Sequence, residues 1–413
     1  EAKCDSTTSG EFEPMTHQKI IKDYVNMYTP YRGVMLYHGL GAGKTCSSIT
    51  VAEGLKDDKQ IIVMTPASLR VNYVEELKKC GDHIYRKNQF WEFINTNDNP
   101  DLIPALSAAL VLPPEFIQRR GGAWLVNVKK PTNFDMLTPE QTHSIDQQIN
   151  KMILQKYKFI NYNGIRMEGW IRLVSDGEGG IINPFDNATV IIDEAHNLIS
   201  RIVNKIDQEN TLSRKIYDNL MNAQNARIIL LTGTPIINHP NEIAVMFNIL
   251  RGKIKTWIFK LDVKTTSTVD KDAIIRMLKR SRSTKFIFDY VAYNASTTEL
   301  RITRNPMGFY NSNTQNYEGV HLQEDGNMGD EEFVQNLTQT LAKNKINIIS
   351  AGTRVERYKA LPDNKETFNN MFIDDSFNVR NEELFKRRIV GLTSYFKDIE
   401  KLMPHYDKRE DFH

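Results

Sequence analysis

Three short stretches carry side chains whose types and spacing suit phosphoryl transfer. The first is His38-Gly39-Leu40-Gly41-Ala42-Gly43-Lys44-Thr45, set between an apolar run ending at Tyr37 and a helical stretch from Cys46 to about Leu55. Glycines at this spacing let successive backbone N–H groups turn inward on a phosphate, and the helix that follows adds the partial positive charge of its N-terminus. Lys44 is then placed to bridge the β- and γ-phosphates of a nucleotide, and the Thr45 hydroxyl to ligate magnesium. The strict form of the loop begins on glycine where this chain has His38, but Gly39 and Gly41 remain to shape the turn. A glycine-rich helix cap in an unrelated α/β protein is the plainer alternative.

The second stretch, Val190-Ile191-Ile192-Asp193-Glu194-Ala195-His196, is an apolar strand ending in two adjacent acids, which a core would otherwise exclude. Asp193 can hold magnesium through water, and Glu194 can take the proton of an attacking water. Capping of a helix from Asn197 onward is the alternative for the acids. His196 either relays nucleotide state or is a partly buried structural histidine. The third stretch, Leu230-Leu231-Thr232-Gly233-Thr234-Pro235, sets the hydroxyls of Thr232 and Thr234 around a glycine. There they could hydrogen-bond the acids of a neighbouring strand and sense the γ-phosphate.

These stretches need a scaffold, and the chain supplies one. Its 413 residues, 40% of them hydrophobic, suffice for two or three domains. The clearest strands are Gly33 to Tyr37, Gln60 to Thr65, Ala188 to Asp193 and Arg227 to Thr232. Their near-continuous apolar runs predict burial on both faces, as in a parallel sheet with crossover helices. Residues 12–250 read as one α/β lobe after a tail at 1–11. Residues 95–156 mix Pro and Gly pairs with polar turns and read as an insertion in the lobe. Residues 251–413 read as an accessory α+β region and hinge, with loops expected at Asp262 to Thr268 and Asn311 to Glu332.

Composition bounds the rest. Against 51 acidic residues stand 53 basic ones, for a net charge of +2, so any nucleic-acid surface has to be a local patch. The densest basic run is Arg276, Lys279, Arg280, Arg282 and Lys285, with no acid between them; it could neutralise several phosphates or be a solvated helix face. Cys4, Cys46 and Cys80 are too few and too scattered for a disulfide framework or metal cluster, which predicts ordinary thiols in a reducing compartment. No apolar run approaches the roughly 20 residues that cross a bilayer, and no signal pattern opens the chain, so a soluble, intracellular protein without a membrane partner is expected. The first residue is Glu1 rather than Met, as in a segment of a longer protein.

The three motifs in this order resemble those of superfamily 2 helicases and translocases. More closely, Leu36 to Thr45, Ile192 to Leu198, Thr232 to Asn238, Thr303 to Phe309 and Phe385 to Phe396 resemble the helicase-like ATPases of nucleocytoplasmic large DNA viruses, a group that includes the helicase-like small subunit of the poxvirus early transcription factor. The resemblance implies a P-loop NTPase fold with a RecA-like parallel sheet, ATP and Mg2+ as cofactors, and a virus-encoded, nucleic-acid-dependent ATPase. It further implies double-stranded DNA and a viral RNA polymerase or transcription-factor subunit as partners, in the virion or host cytoplasm. Carried over by position, Gln18 looks like an adenine-reading glutamine, and Thr65 and Ser68 look like contacts to a nucleic-acid backbone. Asn161 and Tyr162 are further candidates for such contacts, although Asn163-Gly164 is equally a turn. The Gln-x-x-Gly-Arg-x-x-Arg run that superfamily 2 members place on a second lobe does not occur in this sequence. The expectation is therefore a first motor lobe ending near a hinge, able to bind ATP and slow to hydrolyse it, since arginine fingers are worth about 10³–10⁵ in rate.

Overall fold

The computed structural model describes residues 15–26, 32–39, 43–285, 287–305, 309–314, 317–322, 328–376 and 378–396. The chain runs through α1 (Thr16–Tyr24), β1 (Gly33–His38), α2 (Lys44–Leu55), β2 (Gln60–Thr65), α3 (Arg70–Cys80) and β3 (Trp91–Asn95). It continues with α4 (Leu102–Leu110), α5 (Pro114–Arg120), β4 (Gly122–Val126), α6 (Pro139–Lys156), β5 (Tyr157–Asn161), α7 (Met167–Val174) and β6 (Ala188–Ile192). After these come α8 (Ala195–Val203), α9 (Leu212–Asn222), β7 (Arg227–Thr232), α10 (Glu242–Arg251), β8 (Ile254–Val263) and α11 (Lys271–Arg280). The last elements are β9 (Phe288–Asn294), β10 (Glu299–Arg304), β11 (Phe309–Thr314), β12 (Tyr317–Leu322), α12 (Asp330–Ala342), β13 (Ile346–Tyr358), α13 (Lys365–Phe372), α14 (Glu382–Ile389) and β14 (Thr393–Phe396).

Six strands form one parallel sheet in the order β14-β1-β7-β6-β2-β5. Side-chain alternation divides the apolar strands between two cores. Met35, Met64, Val190, Ile192 and Leu230 face one, closed by α8, α9, α10 and α13. Leu36, Val63, Ile191 and Leu231 face the other, closed by α2, α3 and α6. Burial on both faces is what the unbroken apolar runs required, so the architecture is α/β as expected. Because all six strands run the same way, the carboxyl ends of β1, β2, β6 and β7 meet at one edge, where parallel sheets bind ligands. Among the described residues no helix is long and apolar enough to cross a membrane.

The structure corrects four readings. The lobe does not stop at residue 250: β14 supplies its edge strand, with Leu392 buried and its carbonyl bonded to the Met35 N–H at 2.8 Å. Leu361, Phe368 and Phe372 join the same core. In the stretch read as an insertion at 95–156, β4 pairs with the preceding β3 as an antiparallel ribbon, whereas α6 is the crossover helix that delivers β5 to the main sheet. The stretch expected as a loop from Asn311 holds a hairpin of β11 and β12, followed by α12. Cys46 and Cys80 are not separate thiols: a disulfide joins α2 to α3. Their 34-residue separation in sequence says nothing of the antiparallel packing that brings them together. Cys4 lies outside the described residues.

The accessory region is an antiparallel sheet in the order β13-β8-β10-β9. Trp257, Phe259 and Leu300 on one of its faces pack against Leu278 of α11 and Phe333 and Leu337 of α12. A buried ionic cluster ties it to the lobe. Asp289 on β9, with its side chain 4% exposed, meets Arg251 at the end of α10 at 3.3 Å and Arg388 of α14 at 3.6 Å. Removing one partner of such a cluster strands charge in a poorly solvated place. Asp289→Ala is therefore expected to lower stability by about 3 kcal/mol or more, read as a drop in the urea midpoint, whereas Glu356→Ala on exposed β13 should shift it by less than about 1 kcal/mol.

Candidate active site

β1 ends at His38, and α2 begins one residue after Gly43. Gly43 has φ +68°, a left-handed conformation that favours glycine, and a Cβ there would press on Gln18 Nε2 at 2.8 Å. Lys44 Nζ donates to the carbonyls of His38 at 2.8 Å and Gly39 at 3.1 Å. Thr45 is half-buried in the first turn of α2. Gly41 and Ala42, expected as backbone donors to phosphate, lie outside the described residues.

The acids stand opposite. Asp193 directly follows β6, and its backbone N–H is bonded to the Met64 carbonyl at 2.9 Å. Glu194 is left-handed, at φ 46° and ψ 50°, and turns the chain directly from the strand into α8. That conformation is uncommon for a residue with a Cβ and is characteristic of functional turns. Burial, and then the neighbouring Glu194, push the Asp193 carboxyl up to about 6, against the opposing pull of the Glu194 N–H, Lys44 and Thr65. Burial lowers the Lys44 ammonium, while Glu194 and Asp193 hold it up. Lysine and both carboxylates thus share one electrostatic environment with an excess of negative charge. Such a donor set, the Thr45 hydroxyl together with the Asp193 carboxylate, fits a hard divalent cation.

The third motif backs onto the first. A Cβ built on Gly233 would lie 3.9 Å from both Lys44 Nζ and the His38 carbonyl. The Thr232 hydroxyl is fully buried and sits 3.0 Å from His196 Nδ1, which in turn lies 3.3 Å from Glu194 Oε2. Glu194, His196 and Thr232 therefore form a connected polar row from the end of β6 to the end of β7. The expected bond of both threonine hydroxyls to the acids takes a different form. Thr232 reaches His196 instead, and Thr234 is exposed and contributes its backbone N–H to Thr232 Oγ1 at 3.1 Å.

Other candidates move as well. Gln18 is buried; its Oε1 accepts from the Met15 N–H at 2.9 Å and its Nε2 donates to the Gly43 carbonyl at 3.4 Å. It therefore braces the phosphate loop. Thr65, assigned to a nucleic-acid backbone, is fully buried at the end of β2, its hydroxyl engaged with the Asp193 carboxyl and the Pro66 carbonyl. Strand alternation turns it inward, so it supports Asp193 and offers no surface to a strand of nucleic acid. Ser68 in the following short turn is exposed. Tyr162 is also buried, its hydroxyl donating to the carbonyls of Asp193 and Glu194 at 3.0 Å each. It fixes the acid turn from behind and is no surface contact. Arg276, Lys279 and Arg280 are exposed along one face of α11, with Arg282 and Lys285 exposed just beyond.

Sequence reasoning missed the role of His38. The ring is fully buried, with Nε2 2.9 Å from Ser394 Oγ on β14, and burial followed by His17 and Lys44 lowers it from 6.5 to about 4. The unfolded imidazole binds a proton near 6.5 that the folded one refuses until about 4. Stability is consequently expected to fall as pH drops through that window, because the unfolded state binds more protons there. His38→Gln should flatten this part of the profile, measured as Tm against pH from about 7 to 4.

Known proteins are similar over the same region. A protein of Acanthamoeba polyphaga mimivirus, provisionally named an ATP-dependent RNA helicase, is 28% identical over 244 residues, covering 58% of this chain and 33% of that protein. A termination factor NPH-I homolog of African swine fever virus is 28% identical over 224 residues, covering 54% of this chain and 23% of that protein. The chain thus matches a third or less of the length of these relatives, both from large DNA viruses. Among solved structures, a Sulfolobus solfataricus SWI2/SNF2 ATPase core in complex with dsDNA matches 56% of this chain and 34% of its own at 17% identity and a TM-score of 0.29, too loose a likeness to weigh. Residues 17–284, well over half the chain, match the SNF2-related domain, and the chain belongs to that family.

Proposed function

We propose that this chain is the ATP-binding and ATP-hydrolysing lobe of a nucleic-acid-dependent motor that moves on double-stranded DNA and acts with a viral RNA polymerase or transcription factor. The observation that carries the reading is the Glu194–His196–Thr232 row facing Lys44. A mere nucleotide holder needs the lysine and the loop glycines, but not a carboxylate held in a left-handed turn and wired to the next strand. Lys44 would bind the β- and γ-phosphates, and Thr45 and Asp193 would hold Mg2+. The cation, when bound, neutralises charge on the phosphates. Glu194 orients the attacking water and accepts its proton. Loss of γ-phosphate changes the charge facing Glu194, and His196 passes that change to the end of β7 through Thr232.

Ser68 and the α11 face of Arg276, Lys279 and Arg280 are the proposed contacts to the nucleic-acid backbone. The helix spacing of the three basic residues presents them together, and every phosphate neutralised adds salt dependence to binding. RNA is the alternative track, the activity named for the mimivirus relatives, and an ATP-gated factor that recruits polymerase without turnover is the non-catalytic one.

Steady-state ATP hydrolysis by the full-length protein, with duplex DNA, single-stranded DNA or RNA and with Lys44→Ala as blank, separates these. Duplex stimulation supports the proposal, RNA-only stimulation replaces the track, and no turnover above the blank leaves the gated factor. Glu194→Gln should lose about 10²–10⁴ in rate. Replacing Arg276, Lys279 and Arg280 with Ala should weaken duplex binding and lower the slope of log affinity against log salt by about 2–3, while DNA-independent turnover is unchanged; an unchanged slope rejects the α11 face.

A further inference from the structure

Phosphoryl transfer has no use for the Cys46–Cys80 pair, yet the pair stands against its machinery. Cys46 is the third residue of α2, immediately after Thr45, and its sulfur turns toward α3, where Cys80 closes the bridge. Cys80, the last residue of α3, is 5% exposed, while Cys46 is half-buried. Glu76, one turn earlier on α3, places Oε2 3.5 Å from the Cys46 sulfur and is itself paired with Lys79 at 2.8 Å. The two helices are also held together without sulfur. The Ser48 and Tyr73 hydroxyls are 3.0 Å apart, and Lys56 at the end of α2 pairs with Asp82 beyond α3. A sulfur bridge here can form or open while the surrounding packing keeps the helices in place.

We propose that Cys46 and Cys80 are a redox pair that protects the phosphate loop from lasting thiol modification, with Cys46 as the attacking thiol and Cys80 as the resolving one. In the reduced protein the two sulfurs stay within reach of each other because the packing of α2 on α3 holds them there, and Cys46 reacts once its proton has gone to water. The Cys46 thiolate attacks one sulfur of a small-molecule disulfide such as oxidised glutathione; that S–S bond breaks and one glutathione thiolate leaves. Cys80 gives its proton to water and attacks the Cys46 sulfur, expelling the second glutathione. The dithiol has then lost two electrons to the reagent, which becomes two reduced glutathiones. Without Cys80 the peptide would stay on Cys46, next to Thr45 in the chain, its carboxylates opposing a polyphosphate.

The chemistry of the pair is independent of the proposed function, but its consequence for nucleotide rests on that reading. The test uses the full chain with Cys4→Ser, so that adducts report only the pair. Reduced protein is treated with oxidised glutathione, then followed by intact mass, non-reducing peptide mapping and binding of a fluorescent ATP analogue. Expected is a Cys46–Cys80 cross-linked peptide, no retained glutathione, and affinity within about twofold of the reduced form. Additional Cys80→Ser should keep one glutathione on Cys46 and lose affinity by about tenfold or more, restored by dithiothreitol. Separate adducts on both cysteines, or no reaction at Cys46, overturns the proposal. So does stoichiometric zinc on the reduced protein with no cross-link on oxidation, since Cys46, Glu76 and Cys80 bring ligand atoms within 4.8 Å of one another. If no reduced form binds the analogue, the ATP reading fails while the mass result still decides the pair.

Discussion

A carboxylate at the end of a fully buried strand is costly unless donors and cations surround it, and Asp193 is where that cost is concentrated. The sheet brings what the residue needs to one edge. The Glu194 N–H, the Thr65 hydroxyl and the Lys44 ammonium all act on its carboxyl, and all lie at the carboxyl ends of neighbouring parallel strands or just past them. Tyr162 holds the same turn from behind through two main-chain carbonyls. The site is thus a property of strand direction: with any of β1, β2 or β6 reversed, the lysine, the hydroxyl and the acids would not meet.

The same constraint explains the odd features of the phosphate loop. A histidine in place of the usual first glycine is affordable because the ring leaves the loop and goes sideways to Ser394 on β14. It stays neutral because it is buried beside His17 and Lys44. His38 offers its carbonyl to Lys44 on one side and its ring to an edge strand from the far end of the chain on the other. That edge strand follows α14, whose Arg388 meets Asp289 of the accessory sheet. The accessory region is therefore joined to the phosphate-loop strand by a short run of packed elements, with the buried ionic cluster at one end and the His38–Ser394 contact at the other.

How much of this was legible in the sequence follows from burial. β1, β2, β6 and β7 are sandwiched between helices, so their apolar runs are unbroken and their ends were read to within a residue. The chemical motifs were legible because they sit at the ends of those runs. β14 was not: it has four residues, lies at the sheet edge with Tyr395 59% exposed, and pairs with a strand more than 350 positions away. Likeness points Thr65 toward nucleic acid, whereas the pleat of a buried strand turns its hydroxyl toward Asp193. Tyr162 sits beside an Asn-Gly turn that suggests a surface, and only the tertiary fold shows its ring under the acids. The sequence spacing of Cys46 and Cys80 does not register the packing of α2 on α3 that joins them.

The central claim is a division of labour in which Lys44 binds phosphate, Asp193 serves the cation and Glu194 serves the water. The most direct measurement is calorimetric ATP binding, with and without Mg2+, by the wild type and by Lys44→Ala, Asp193→Asn and Glu194→Gln. The account predicts that Lys44→Ala loses binding under both conditions, that Asp193→Asn loses only the gain due to Mg2+, and that Glu194→Gln binds as the wild type does. If Glu194→Gln instead loses as much affinity as Lys44→Ala, Glu194 belongs to the binding apparatus and the assignment of hydrolysis to this turn is wrong.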